Sequence, residues 1–404
     1  MTMATADQIP EFPTVSAHPD NGLLVLLAAM TQEQLERVLA NLTASFPAED
    51  LIIASPDVVS NAFPADSHSP LRVVAAPASN VTWTLTAADF VSAYQLASKN
   101  KARSILMLSP ESGSLSSSGI SALANAVLAN STDLAVARYD LPPNAGLVNS
   151  AILYPLSRAL FSSRVRFPLA VDLGLSLRMA ERLSGIAHRF TNLDQGQTPL
   201  WPVNEARVAE FTTDQFDVGS RVQHQSAGPD LNIILPLVTG ALFSDIDAKA
   251  AFWQRFRQLP PARDPLPIPQ APSIDSPADI EPMLQAFRLA YSNLHEIWSL
   301  VLPPNSLLGL KRLTATDAVD FRMSETLWAR IVFDFLIAHR LRTINRGHLL
   351  GALIPLYLAW VASHINITTS GSTPESHIEA VAQAFEADKP YLVSRWRWPD
   401  RFNP

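Results

Sequence analysis

Short, continuously apolar runs alternate with amphipathic segments through the first quarter of this chain, and few folds accept that pattern. Leu23 to Ala29 is apolar over a strand's length, as expected of a strand covered on both faces of a parallel sheet. Thr31-Gln32-Glu33-Gln34 then reads as a capping box, opening a helix with Leu35, Val38, Leu39 and Leu42 on one side. Leu51-Ile52-Ile53-Ala54, halted at Pro56, is a second strand, and Leu71-Arg72-Val73-Val74 a third. Ala87 to Ser98 reads as a helix and Ser104-Ile105-Leu106-Met107-Leu108 as a fourth strand. This alternation predicts an α/β chain with a mostly parallel, doubly wound sheet. Ligands of such sheets bind beyond the carboxyl ends of the strands, and the fourth run ends there in Ser109-Pro110-Glu111-Ser112.

A second region, Asn144 to Leu183, reads as two apolar helices around a compact irregular segment that carries Arg164, Arg166 and Asp172. Asp172 stands among apolar neighbours, Val171 and Leu173, where an acid is costly unless something binds it. Gly174 beside it predicts a tight backbone bend. Leu231 to Phe243 with Phe252-Trp253 is an apolar helix, and the proline-rich run from 258 to 277 reads as an extended linker. Beyond it the spacing turns helical. Met283 to Val301 forms one stripe stopped by Pro303-Pro304, and Ser324 caps a helix bearing Leu327, Trp328, Ile331 and Phe335. Leu349 to Ala362 and Ile378 to Phe385 make two more. The Arg395-Trp396-Arg397-Trp398 tail is expected to dock on this helical part. The division is therefore a disordered N-terminus over 1–18, an α/β domain over 19–257, a linker over 258–277 and a helical domain over 278–404.

A net charge of -7 disfavours a nucleic-acid partner, and the absence of cysteine excludes disulfides and thiolate chemistry. That absence, with no basic start followed by an apolar core at the N-terminus, leads us to expect a cytoplasmic protein. The apolar run Leu349 to Ala362 is short for a membrane span and contains Pro355, so a core helix is expected and no span. Only 14 glycines occur, which leaves little for phosphate-cradling backbone.

The ordered pattern Asn149, Tyr154-Pro155-Leu156, Arg158-Ala159-Leu160, Val165-Arg166, Pro168 and Asp172-Leu173-Gly174-Leu175-Ser176 resembles bacterial nucleotide-sugar glycosyltransferases of GT-A fold. These are relatives of the glucosylglycerate and mannosylglycerate synthases, and the likeness runs from about residue 20 to about 365. It implies a nucleotide-sugar donor, a small acceptor such as glycerate or its phosphate, and magnesium or manganese held by hard oxygen ligands. Asp172 is then the catalytic acid facing the acceptor or the transferring sugar. Glu111 and His224 are the metal ligands, and Ser109, Glu111, Arg138 and Arg166 face the donor. Arg138, in Asp133 to Asp140, is open to either a phosphate or a carboxylate partner.

The chain also departs from that pattern. Ser109 stands where the resembled enzymes place the first Asp of Asp-x-Asp, and Pro199 stands for the Asp of Thr-Asp-x-Trp. Thr86-Ala87-Ala88-Asp89 replaces a basic glycine-rich turn, and Ala170-Val171 replaces a Gly-Gly pair. Two functions follow: sugar transfer to a small acceptor, or a catalytically inactive descendant that binds a ligand or protein. Oligomeric state is open, a homo-oligomer included.

Overall fold

In a computed structural model of the 404-residue chain, residues 22–56, 71–78, 83–169, 171–193, 195–221, 230–255 and 279–398 are described. The strands are β1 (Leu23–Leu27), β2 (Leu51–Ser55), β3 (Arg72–Ala75), β4 (Ser104–Leu108), β5 (Leu134–Asp140), β6 (Leu173–Ser176) and β7 (Thr213–Ser220). They form one sheet in the order β3-β2-β1-β4-β6-β5-β7. Pairing is parallel except for β6, which runs antiparallel to both β4 and β5. The expected mostly parallel α/β sheet is therefore present. β1, β2, β4 and the start of β5 are buried throughout, as their unbroken apolar sequences require.

Helices cover both faces. On one side lie α1 (Gln32–Ser45) and α3 (Ser117–Leu128); on the other lie α2 (Ala87–Lys99) and α5 (Leu177–Thr191). α1 starts at the Thr31 capping box, in which the Thr31 hydroxyl accepts from the Gln34 amide and the Gln34 side chain accepts from the Thr31 amide. α2 starts at an equivalent Thr86–Asp89 box.

The region around Asp172 is more regular than its sequence predicts. One π turn, Asn149–Leu153, leads into α4 (Tyr154–Phe161). Then 162–172 is irregular, and Leu173–Ser176 adds the antiparallel strand β6. The bend expected at Gly174 is not there. Gly174 is a strand residue, and a Cβ on it would stand 2.7 Å from the Leu123 carbonyl oxygen and 3.2 Å from the Ala135 Cβ. It is glycine because α3 presses against the sheet at that point.

The remaining helices are α6 (Pro202–Val208), α7 (Leu231–Ala248), α8 (Ala250–Trp253), α9 (Glu281–Asn293), α10 (His295–Val301), α11 (Pro304–Thr314), α12 (Glu325–Leu341), α13 (Arg346–Thr369) and α14 (Pro374–Arg397). The Met283 to Val301 stripe stops before Pro303-Pro304 as expected, but it is split into α9 and α10 and Pro304 opens a further helix, α11. α13 contains Pro355 as expected and runs for 24 residues, beyond Leu349 to Ala362 at both ends. By length and composition α7 and α13 are long enough to cross a membrane. Two-thirds of the apolar window of α13 is buried in the protein's own core, as a core helix requires.

That core joins α4, Trp201, α7 and α8 to α9–α14. The sheet helices close over a second core. Trp328 of α12 donates from Nε1 to the Ala151 carbonyl at 2.8 Å. Pro155 explains why that carbonyl is free, because a proline has no N–H to return to the residue four before it. The tail docks on the helical part as expected, with the Trp396 ring under the Arg340 guanidinium of α12, and it also meets Trp253 of α8 edge-on, while Trp398 stays exposed. The residues expected to be a disordered N-terminus and a proline-rich linker lie outside the described residues.

Candidate functional site

The strand order sets where a ligand can enter. The chain moves outward from β1 to β2 and β3, then returns to place β4 on the other side of β1. The crevice beyond the carboxyl ends of β1 and β4 is therefore the switch point of the sheet. A cleft opens there, lined by Leu26, Leu27 and Ala28 after β1, and by Met107, Leu108 and Ser109 at the end of β4. Thr84 and Leu85 just before α2, Asp89 in its first turn, and Val171 complete it. The Thr84 hydroxyl is buried and has no hydrogen-bond partner among the described residues. Most of the lining is apolar and none of it is basic, which suits an uncharged ring better than a diphosphate.

Behind Ser109 lies a closed polar network. Asp172 is 0% exposed. Its Oδ1 accepts from the Ser109 amide at 2.8 Å. Its Oδ2 accepts from the Tyr139 hydroxyl at 2.8 Å and from the Ser109 hydroxyl at 3.3 Å. The Asp172 amide in turn donates to the Tyr139 oxygen at 3.2 Å. Burial, reinforced by the charge of Asp172, pushes the Tyr139 phenol well above its ordinary pKa, so it remains a neutral donor. Arg221, just past β7, lies over the Tyr139 ring with its guanidinium carbon 5.1 Å from the centroid. Its Nη2 donates to Glu111 Oε2 at 2.8 Å, and its buried Nε has no hydrogen-bond partner among the described residues. Burial alone would lower the Arg221 pKa, but Tyr139, Asp172 and Glu111 together hold it above the ordinary value.

The structure thus brings Ser109, Glu111 and Asp172 together and sends the two donor-site arginines elsewhere. Arg138 on β5 forms a two-pronged ion pair with Asp217 on β7, so its partner is a carboxylate. Arg166 donates to Glu375 of α14 at 2.9 and 3.1 Å and to the Ser150 hydroxyl at 3.0 Å. Arg158 is held in the same way, by Glu379 and Glu386. Pro199 forms an isolated bridge with Thr86 at the foot of α2. His224 lies outside the described residues.

Three participants escaped the sequence reading: Thr84, Tyr139 and Arg221. Tyr139 had a detectable signal, because alternation along β5 turns it away from the face that carries Arg138. Arg221 had none, since its partner Glu111 is 110 residues distant.

The oxygens at the end of β4 are a poor fit to a divalent ion. Glu111 is engaged by a guanidinium, the Ser109 hydroxyl directs its proton at Asp172, and both Asp172 oxygens are occupied by donors. Among the described residues no group of three His, Asp or Glu side chains is placed to hold a metal.

No protein-family model matches the chain, and no curated protein matches it by sequence. Similar solved structures include glucosyl-3-phosphoglycerate synthase from Mycobacterium tuberculosis with Mn2+ and UDP-glucose. It is 13% identical, with a TM-score of 0.37, over 59% of this chain and 84% of that one. The same enzyme with phosphoglyceric acid gives 13% and 0.36 over 56% and 79%. A structure described only as a mycobacterial protein gives 12% and 0.37 over 59% and 80%. Similarity this low leaves the function to be argued from this chain's own residues.

Proposed function

We propose that the chain is a GT-A glycosyltransferase-like protein that binds a nucleotide sugar between the ends of β1 and β4 and has lost the chemistry of transfer. One observation carries this reading: the cleft lies at the switch point of the sheet, and the ordered stretch from Asn149 to Ser176 supplies Val171 to its wall. The Thr84 hydroxyl, which has no hydrogen-bond partner among the described residues, gives a ligand a polar handle there. Loss of chemistry is supported by what has become of the acids. Asp172 is enclosed and fully hydrogen-bonded, Glu111 is bound to Arg221, and Pro199 offers neither acid nor base.

A second reading, transfer of the sugar to a small glycerate-type acceptor, draws on Ser109. That residue lines the cleft and hydrogen-bonds Asp172, which puts a carboxylate directly behind the cleft wall. Calorimetric titration with uridine and guanosine diphosphate sugars tests the main reading. Saturable binding that Ala28→Trp abolishes by filling the cleft is expected, with no product formed from glycerate or phosphoglycerate. No binding by any of these sugars would remove the proposal, and turnover that Asp172→Asn abolishes would establish the second reading.

A further inference from the structure

We infer that Arg221 takes the place of a metal ion in this site: its guanidinium is the fixed cation that balances Glu111 and Asp172, and nucleotide binding is metal-independent. The nucleotide half of this rests on the function proposed above; the cation half does not.

Two carboxylates, Glu111 three residues beyond β4 and Asp172 just before β6, converge on one side of the sheet end, where each would favour a divalent cation. Arg221 is already there. It is 13% exposed in its side chain, bonded to Glu111 at 2.8 Å, and seated on the Tyr139 ring, whose hydroxyl donates to Asp172. A guanidinium has a permanent charge and directional N–H donors, so it satisfies carboxylates without any exchangeable ligand. The arrangement also leaves the buried Nε–H without an acceptor among the described residues. A phosphate oxygen supplies an acceptor of the right charge, and Arg forms bidentate contacts with phosphate readily. The apolar cleft beside Ser109 has no basic group of its own to do this.

The test uses the full-length protein, Mn2+ alone as first probe, and uridine diphosphate as second. Mn2+ binding is followed by electron paramagnetic resonance in the natural protein, Arg221→Lys, Arg221→Met and the Arg221→Met/Glu111→Gln pair. Met keeps an apolar stem over the Tyr139 ring and removes the guanidinium's charge together with its donors. We expect no measurable binding in the natural protein and in Arg221→Lys. Arg221→Met should bind at least about tenfold more tightly, the scale on which a neighbouring charge acts, and should lose that gain with Glu111→Gln. Should Arg221→Met fail to fold, the natural protein still decides: tight Mn2+ binding that Glu111→Gln abolishes overturns the inference. Uridine diphosphate should bind the natural protein equally with and without chelator and about tenfold more weakly in Arg221→Met. Chelator-sensitive binding overturns metal independence. If uridine diphosphate does not bind at all while the Mn2+ results are as expected, the fixed cation stands and the nucleotide-sugar reading falls.

Discussion

A carboxylate taken out of water without partners costs the fold dearly, and Asp172 is buried with three hydrogen bonds donated to it. Each donor is itself fixed: the Ser109 amide by the end of β4, and Tyr139 by the edge-on Phe167 ring at 5.3 Å. Asp172→Asn replaces one accepting oxygen with an NH2 that meets a donor rather than an acceptor. The variant is expected to lose on the order of 1–3 kcal/mol of stability, read as a lower urea midpoint with an unchanged slope. Unchanged stability would mean that the acid serves a ligand and not the fold. The sequence marked Asp172 because it is an acid in an apolar run, and the structure keeps that mark. Its partners were not legible, since Tyr139 is 33 residues away and Ser109 is 63.

Helices α13 and α14 meet at a buried histidine pair, His364 and His377, whose Nδ1 atoms are 2.7 Å apart. Trp360 stacks against both rings. One nitrogen must donate and the other accept, so the contact holds only while the pair is not doubly protonated. Burial, with repulsion from His377 and Arg166, pulls His364 down to about 4, and burial also lowers His377 although Glu325 at 3.6 Å opposes it. A histidine whose folded pKa is depressed stabilises the fold fully above its unfolded value near 6.5, and that stability drains away as pH falls toward 4. Denaturant titrations stepped through this window should show a loss on the order of 2–3 kcal/mol, and His364→Phe should flatten it. A natural protein with a flat profile from pH 7 to 4 would refute this. At this scale sequence reading succeeded where end signals are local. The Thr31 box, the Ser324 cap and the buried run Ser104–Leu108 all stand where they were expected. It failed where tertiary packing overrides local preference. β6 is only four residues long and exists because β4 and β5 flank it. α13, read as Leu349 to Ala362, extends beyond both of those ends to Arg346–Thr369, and Leu353 and Leu356 beside Pro355 are fully buried in the helical core.

For the molecule as a whole, the proline-rich segment offers the natural place to divide the chain, yet the packing crosses it. Leu235, Leu242 and Phe243 of α7, Trp253 of α8 and Phe161 of α4 all precede the segment and are buried among residues of α9–α14. Polar contacts cross in the same direction. Trp328 caps the Ala151 carbonyl, and α14 offers Glu375, Glu379 and Glu386 to Arg166 and Arg158. Arg158 is 4% exposed. Deleting α9–α14 would strip Arg158 of both counter-ions and uncover the apolar faces of α4 and α7 in the same step, and exposing one large apolar side chain costs about 1.5–3 kcal/mol. A few such side chains match the whole stability of a marginal domain, about 5–15 kcal/mol. A fragment of residues 1–257 is therefore expected to aggregate or to keep helical far-ultraviolet dichroism without a near-ultraviolet signal from its tryptophans. Co-expression with 278–404 as a separate chain should restore a soluble complex, because the linker supplies connection and the buried faces supply affinity. If 1–257 alone proves monomeric and unfolds cooperatively, the sheet and the helical part are independent domains, and the site at β1 and β4 can be studied without α9–α14.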